Sequence, residues 1–174
     1  RSSPYPFESV EAVKEGYTHV GYENNNGEAF TVGQIIKVAT VAYATYAPKT
    51  YEIVYEANGG VGSMANTQAT YGVEVDLRKN TYTKLGYEFI GWDTDAKGET
   101  VVYEDEKTHL KDLTNSNEYH IYAVWKAKSY VIKYDKNDTT GEVTGTVQDT
   151  TFEYNGSITL SNEEYIKPHH NNVG

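Results

Sequence analysis

Asp93-Thr94-Asp95-Ala96-Lys97-Gly98, followed by Glu104 at the twelfth place, sets carboxylates at the spacing a calcium loop of the form D-x-[DN]-x-[DN]-G-x5-E would use. Lys97, however, stands where such a loop needs an oxygen donor. It would put a positive charge inside the cage, so a solvated hairpin loop is the favoured reading of Asp93, Asp95 and Glu104. The corresponding Asn24-Asn25-Asn26-Gly27-Glu28 carries fewer charges still. Glu104-Asp105-Glu106 sets acids side by side, whereas glycoside hydrolysis needs two separated carboxylates facing one cleft, one of them with its pKa raised by burial. His169-His170 and the isolated His19, His109 and His120 suggest metal or general-base chemistry. No two of them have the i, i+4 spacing of a helical ligand pair, and no second ligand set accompanies them. Trp92 and Trp125 offer faces that suit sugar rings. The competing reading makes each a core anchor, whose full burial contributes on the order of 2 to 3 kcal/mol. There is no Gly-x-Ser-x-Gly elbow and no phosphate-cradling glycine loop. The expectation is a protein with no catalytic residues, no cofactor and no metal.

The elements that carry these loops repeat. Lys84-Leu85-Gly86-Tyr87-Glu88-Phe89-Ile90-Gly91-Trp92 echoes Lys14-Glu15-Gly16-Tyr17-Thr18-His19-Val20-Gly21-Tyr22, seventy positions earlier. Lys49-Thr50-Tyr51-Glu52-Ile53-Val54-Tyr55 returns as Lys128-Ser129-Tyr130-Val131-Ile132-Lys133-Tyr134, at an offset of 79. Such internal repetition marks an array of small units. Within the best-preserved unit, the alternation of Tyr51, Ile53 and Tyr55 with Glu52 and Val54 predicts a half-buried strand. Asn58-Gly59-Gly60 then predicts a turn. The alternation in residues 71–77 predicts a second strand, with Tyr154 to Leu160 as its twin at an offset of 83. Residues 104–113 are expected to form a short helix, ended by Asn115-Ser116-Asn117. Residues 119–125 close the unit as a β-branched and aromatic strand. The unit boundaries that follow are 1–48, the later half of a first repeat; 49–127, a complete repeat; and 128–174, the early half of a third. The linker Lys126-Ala127-Lys128 is short enough to predict a semi-rigid row. The two halves either stay poorly ordered or complete one another between chains, since an exposed strand edge is a template for pairing. Head-to-tail self-association is the expectation on the second alternative.

Composition narrows the classes further. Units of fewer than about 80 residues have marginal cores, and the chain supplies 17 Tyr and 2 Trp to fill them. A formal net charge of −10 repels nucleic acid and anionic membranes. No apolar run reaches the roughly 18 residues of a membrane span, so membrane insertion is not expected. No charged n-region precedes an apolar stretch, so an export signal, if the protein has one, lies outside these residues. The absence of Cys excludes a disulfide framework and a thiolate zinc site.

Taken in order, Tyr-x-Ile-x-Tyr-x-Ala-Asn-Gly-Gly, Tyr-Gly with its alternating strand, Lys-x-Gly-Tyr-x-Phe-x-Gly-Trp and Tyr-Ala-Val-Trp-Lys resemble the Listeria-Bacteroides repeat, the internalin-type B repeat of bacterial surface proteins. The resemblance spans residues 49–127. Tyr22 and Tyr46 stand where Trp92 and Trp125 stand, and Pro168-His169-His170 replaces Leu85-Gly86-Tyr87. The resemblance implies an α+β, mainly β fold: tandem small β-grasp (ubiquitin-like) units with antiparallel sheets and a short helix. It implies no functional site to carry over, so Gly86, Tyr87, Phe89, Gly91, Trp92, Tyr122 and Trp125 are read as an architectural signature. The function it implies is that of a non-catalytic extracellular segment at the cell surface or cell wall of a bacterium, a spacer, stalk or adhesion module. The alternative is a dedicated binding module for a host surface protein or glycan.

Overall fold

The computed structural model describes residues 5–167; the His169-His170 pair, and with it the end of the third repeat, lies outside the described residues. The strands are β1 (Tyr5–Pro6), β2 (Tyr17–Glu23), β3 (Ile35–Ile36), β4 (Tyr43–Pro48), β5 (Thr50–Glu56), β6 (Thr67–Thr70), β7 (Tyr87–Asp93), β8 (Glu118–Ala127), β9 (Ser129–Ile132) and β10 (Thr150–Glu153). The period-two pattern of β5 decides the centre of the molecule. Tyr51, Ile53 and Tyr55 are buried to 2%, 0% and 4% exposure while their neighbours stay half-exposed. On β8 the same alternation turns Ile121 and Ala123 inward. These strands form a four-stranded sheet in the order β6-β5-β8-β7, with β5 and β8 parallel and the other two pairs antiparallel.

Over this sheet lies a core of Leu77, Tyr82, Trp92 and the inward residues of β5 and β8. Tyrosine hydroxyls stitch it to the backbone, as expected where large rings are buried with a polar tip. Tyr82 donates to the Tyr55 carbonyl at 2.6 Å, and the Tyr55 hydroxyl meets Thr67 Oγ1 at 2.8 Å while accepting from the Arg78 amide at 2.8 Å.

The expected helix and the β-grasp class are both overturned: among the described residues the fold is all-β. In residues 104–113 the backbone enters the left-handed region at Glu106 (φ 54°), His109 (φ 59°) and Asp112 (φ 54°), which a right-handed helix cannot accommodate. The amides there bond sideways instead. Val75 and Leu110 form a reciprocal bridge at 2.8 and 3.0 Å, and Leu77 donates to the Lys107 carbonyl at 2.8 Å. Asp76 accepts from the His109 amide at 2.9 Å, the kind of local side-chain competition that displaces helices. A β-grasp lays a helix across one face of its sheet; here the core is covered by extended loop segments. Residues 71–77 are likewise not a strand but a turn followed by a single bridged position at Val75.

The flanking segments reproduce parts of the middle one. Antiparallel β2 and β4 pair from Tyr17↔Pro48 with a bulge between His19 and Gly21, as β7 and β8 pair from Tyr87↔Ala127 with a bulge between Phe89 and Gly91. Antiparallel β9 and β10 repeat β5 and β6. The polar skeleton returns as well: Tyr134 OH meets Thr150 Oγ1 at 2.9 Å and the Ser161 amide at 3.0 Å, and Tyr165 OH donates to the Tyr134 carbonyl at 2.7 Å. A further small pair joins β1 and β3.

Candidate functional site

β4 and β5 are separated by Lys49 alone, and β8 and β9 by Lys128 alone. Both lysines are stapled identically. The Lys49 amide donates to the Gly16 carbonyl at 2.9 Å, and its carbonyl accepts from the Tyr71 amide at 2.9 Å. The Lys128 amide donates to the Gly86 carbonyl at 2.9 Å, and its carbonyl accepts from the Tyr154 amide at 2.9 Å. These bonds bring the ring of Tyr71 onto Gly16 and the ring of Tyr154 onto Gly86. Both glycines are buried and left-handed (φ 73° and 77°), and a Cβ on either would lie 2.2 Å from the incoming ring. Only glycine satisfies both demands. The following tyrosine completes the seat: Tyr17 meets Tyr71, and Tyr87 meets Tyr154, edge to face at 5.6 Å in each case. Behind it, Lys14 Nζ lies 3.9 Å from the Tyr17 ring centroid and Lys84 Nζ lies 4.8 Å from that of Tyr87. Each joint is thus a glycine-tyrosine socket filled by a tyrosine from the next segment.

The loops read as possible chemistry are occupied by their own backbone. Asp93, 4% exposed, accepts from the Thr94 and Asp95 amides through Oδ1 (2.7 and 3.1 Å) and from the Glu99 and Thr100 amides through Oδ2 (3.1 and 2.9 Å). Those amides, led by Thr100, hold its carboxyl below the usual carboxylate range against the opposing effect of burial. Asp95 caps the Lys97 amide at 2.8 Å, and Glu104 is exposed. Asn24 does the same work without charge, accepting from the Asn26 and Glu28 amides at 2.9 and 3.0 Å. Asp105 Oδ1 accepts from the Asn80 amide at 2.9 Å and from the Glu106 amide at 3.2 Å.

Trp92 is fully buried, ringed edge to face by Phe89, Tyr55 and Tyr82 at 5.0, 5.2 and 6.4 Å, and presents no face to a sugar. Its Nε1 is buried without a hydrogen-bond partner. Trp125 is half-buried against Phe89 at 5.7 Å and donates to the Ala57 carbonyl at 2.9 Å. Gly91 makes the bulge that turns Trp92 inward; its φ is 146°, and a Cβ there would fall 2.6 Å from Val101 Cγ1. Tyr122 stacks on His120 at 6.5 Å on the other face of β8.

Residues 51–124 match the family model of the Listeria-Bacteroides repeat domain. The middle segment is a Listeria-Bacteroides repeat. Domains of this repeat family are typical of bacterial surface proteins and are generally non-catalytic. Among curated proteins and among solved structures, none matches the chain. Seen against the repeat, the residues that sequence reasoning missed are those at its borders. Tyr71 and Tyr154 fill the sockets, yet they read only as strand openings. Tyr71 and Tyr154 recur at an offset of 83, but each lies far along the chain from the glycine it covers. Of the histidines that the sequence singles out, His120 is bracketed on the repeat's sheet by Glu56 at 2.9 Å and Glu118 at 3.2 Å. The hydrogen bond to Glu56, aided by Glu118, raises its pKa against burial. His109 is raised in the same direction by Glu74 at 2.7 Å. His19 takes the place of Phe89 in the first segment, packed on Tyr22 at 4.8 Å and Tyr46 at 5.8 Å.

Proposed function

We propose that the chain is a non-catalytic extracellular spacer of a bacterial surface protein, in which interlocked joints set the angle between successive repeats. The observation that carries this reading is the recurrence of one joint at both junctions, with the same four backbone atoms bonded and the same ring seated on glycine. A linker of one residue leaves little slack, and a seated ring removes more. Stiffness of this kind serves projection: each unit adds a set increment of reach. Small-angle scattering on arrays lengthened by whole repeats tests it. A maximum dimension that grows linearly with repeat number supports a stiff spacer, and growth as about the square root of length, the behaviour of a flexible string, refutes it.

A second reading, adhesion to a host surface protein or glycan, is favoured by one feature. Each joint carries an open groove in which equivalent residues recur, Tyr17 and Lys49 at the first and Tyr87 and Lys128 at the second. Weak contacts repeated at a fixed spacing gain by avidity. Glycan-array binding that rises steeply with repeat number would support this reading.

A further inference from the structure

We infer that Asn26 is a site of spontaneous covalent modification, in which its side-chain amide is lost to attack by the Gly27 backbone nitrogen, and that the fold shields Asn58-Gly59 from the same step. An asparagine followed by glycine is open to this reaction because glycine puts no Cβ in the path of its own nitrogen and turns freely. The step balances on the chain and water alone. The Gly27 nitrogen gives up its proton to solvent and bonds to Asn26 Cγ, the Cγ–Nδ2 bond breaks, and Nδ2 takes up a proton and leaves as ammonia. Water then opens the five-membered imide at either carbonyl, leaving an aspartyl or an isoaspartyl residue at position 26.

Local sequence does not separate the two sites; their surroundings do. Asn58 is half-buried, and its Nδ2 donates to the carbonyl of Ala123, a fully buried residue of β8, at 2.9 Å. Gly98 closes on the same group: a Cβ there would lie 2.1 Å from Asn58 Nδ2. To reach the Gly59 nitrogen, the carboxamide must leave this seat and give up its bond to the Ala123 carbonyl, which needs local opening of the turn. Asn26 is exposed, and its carboxamide has no hydrogen-bond partner among the described residues. Only the exposed turn bond from the Gly27 amide to the Asn24 carbonyl, at 3.0 Å, has to give way.

The openness of position 26 is a property of the repeat's own loop. Asn24 Oδ1 accepts from the Asn26 amide at 2.9 Å as Asp95 Oδ1 accepts from the Lys97 amide at 2.8 Å, and Gly27 and Gly98 donate to the Asn24 and Asp95 carbonyls at 3.0 Å each. Lys97, in the complete repeat, is exposed as Asn26 is. Asn155-Gly156 is a different case, since its counterpart Gly72 is held by Asp112 from later in the same repeat. At Asn26 the product has consequences. The new carboxylate lies two residues from Glu28, which Asn24 Nδ2 holds at 2.7 Å. An isoaspartyl linkage adds a methylene to the main chain inside the loop that the Asn24 amide and the Glu28 carbonyl close at 2.9 Å. With age the chain thus gains charge and slack in this loop, while the Asn58 turn of the middle repeat is kept.

The test is peptide mapping by mass spectrometry of the full chain aged in mildly alkaline buffer, where the attacking nitrogen loses its proton more readily. The peptide holding Asn26 should gain the mass difference between a hydroxyl and an amino group, with aspartyl and isoaspartyl forms separating on chromatography. It should do so roughly tenfold faster than the peptide holding Asn58, the factor set by the bond that Asn58 must first release. In urea concentrated enough to unfold the chain the two rates should converge, since both pairs are Asn-Gly. Equal rates in the folded chain, or faster loss at Asn58, overturn the inference. So does a difference that survives in urea, which would assign it to flanking sequence rather than to the fold. Asn26→Gln, whose longer side chain would have to close a larger ring, should remove the early mass gain, and a gain that persists in that peptide also overturns it. No joint residue takes part, so these outcomes are separate from the spacer reading.

Discussion

Gly86→Ala should damage the chain in two separable ways, and the structure assigns a size to each. The first is backbone strain. At φ 77° the added Cβ meets the following carbonyl, costing about 1 to 2 kcal/mol whatever surrounds it. The second is steric. The Cβ would lie 2.2 Å from Tyr154 Cγ, far inside van der Waals contact, so the ring must leave its seat or the backbone must shift. Overpacking of this kind costs about 1 to 3 kcal/mol. Tyr154→Ala removes the ring and with it only the second cost. In the Tyr154→Ala background, Gly86→Ala should therefore cost about 1 to 2 kcal/mol, against about 2 to 5 kcal/mol in the parent chain. The assay is urea unfolding followed by tryptophan fluorescence. Trp92 and Trp125 are the chain's 2 Trp residues, so the signal reports the middle repeat alone. Costs that add to within about 0.5 kcal/mol would mean the two residues do not interact, and would refute the socket.

Trp92→Ala should destabilise the middle repeat by about 3 to 5 kcal/mol in the same urea assay; a cost below about 1 kcal/mol would remove Trp92 from the core. His120 has its folded-state pKa raised by Glu56 and Glu118. Its contribution to stability is therefore complete below the unfolded value near 6.5 and lost as pH rises through the higher folded value. Unfolding midpoints between pH 5 and 8 (roughly the range over which His titrates) should fall with pH, and His120→Gln should flatten the slope. Asp93 has the opposite sign: its depressed pKa gives stability that is present above about pH 4 and lost as pH falls through the folded value. Asp93→Asn should lower the melting temperature and weaken that acid dependence. Calorimetric titration of the parent chain with calcium should show no heat of binding, because four amides already occupy the Asp93 carboxylate.

Those features of the fold that depend on local chemistry are legible in the sequence. The alternation of Tyr51, Ile53 and Tyr55 does mark a strand, and Asn58 does sit in a left-handed turn at φ 47°. Residues 104–113 mislead because their apolar positions, Leu110 and Leu113, are three apart, a spacing that suits a helix. Nothing local shows that Val75 and Leu77 will claim the amide and carbonyl groups of residues 107–110. That bridge joins segments some thirty residues apart in sequence. The same limit hides the joints. Gly16 and Tyr71 are far apart in sequence, and the reason for the glycine is a ring that arrives from the next segment. Within its own motif Gly86 reads as one more turn residue.

If seated tyrosines fix the angle between repeats, electron–electron distance measurement across the second joint should show it. Spin labels go on Lys79→Cys and Thr151→Cys, both exposed positions in a chain with no cysteine of its own. The parent chain should give a single narrow distance distribution that broadens when Tyr154→Ala empties the socket. A distribution already broad in the parent chain, or one that Tyr154→Ala leaves unchanged, would contradict it.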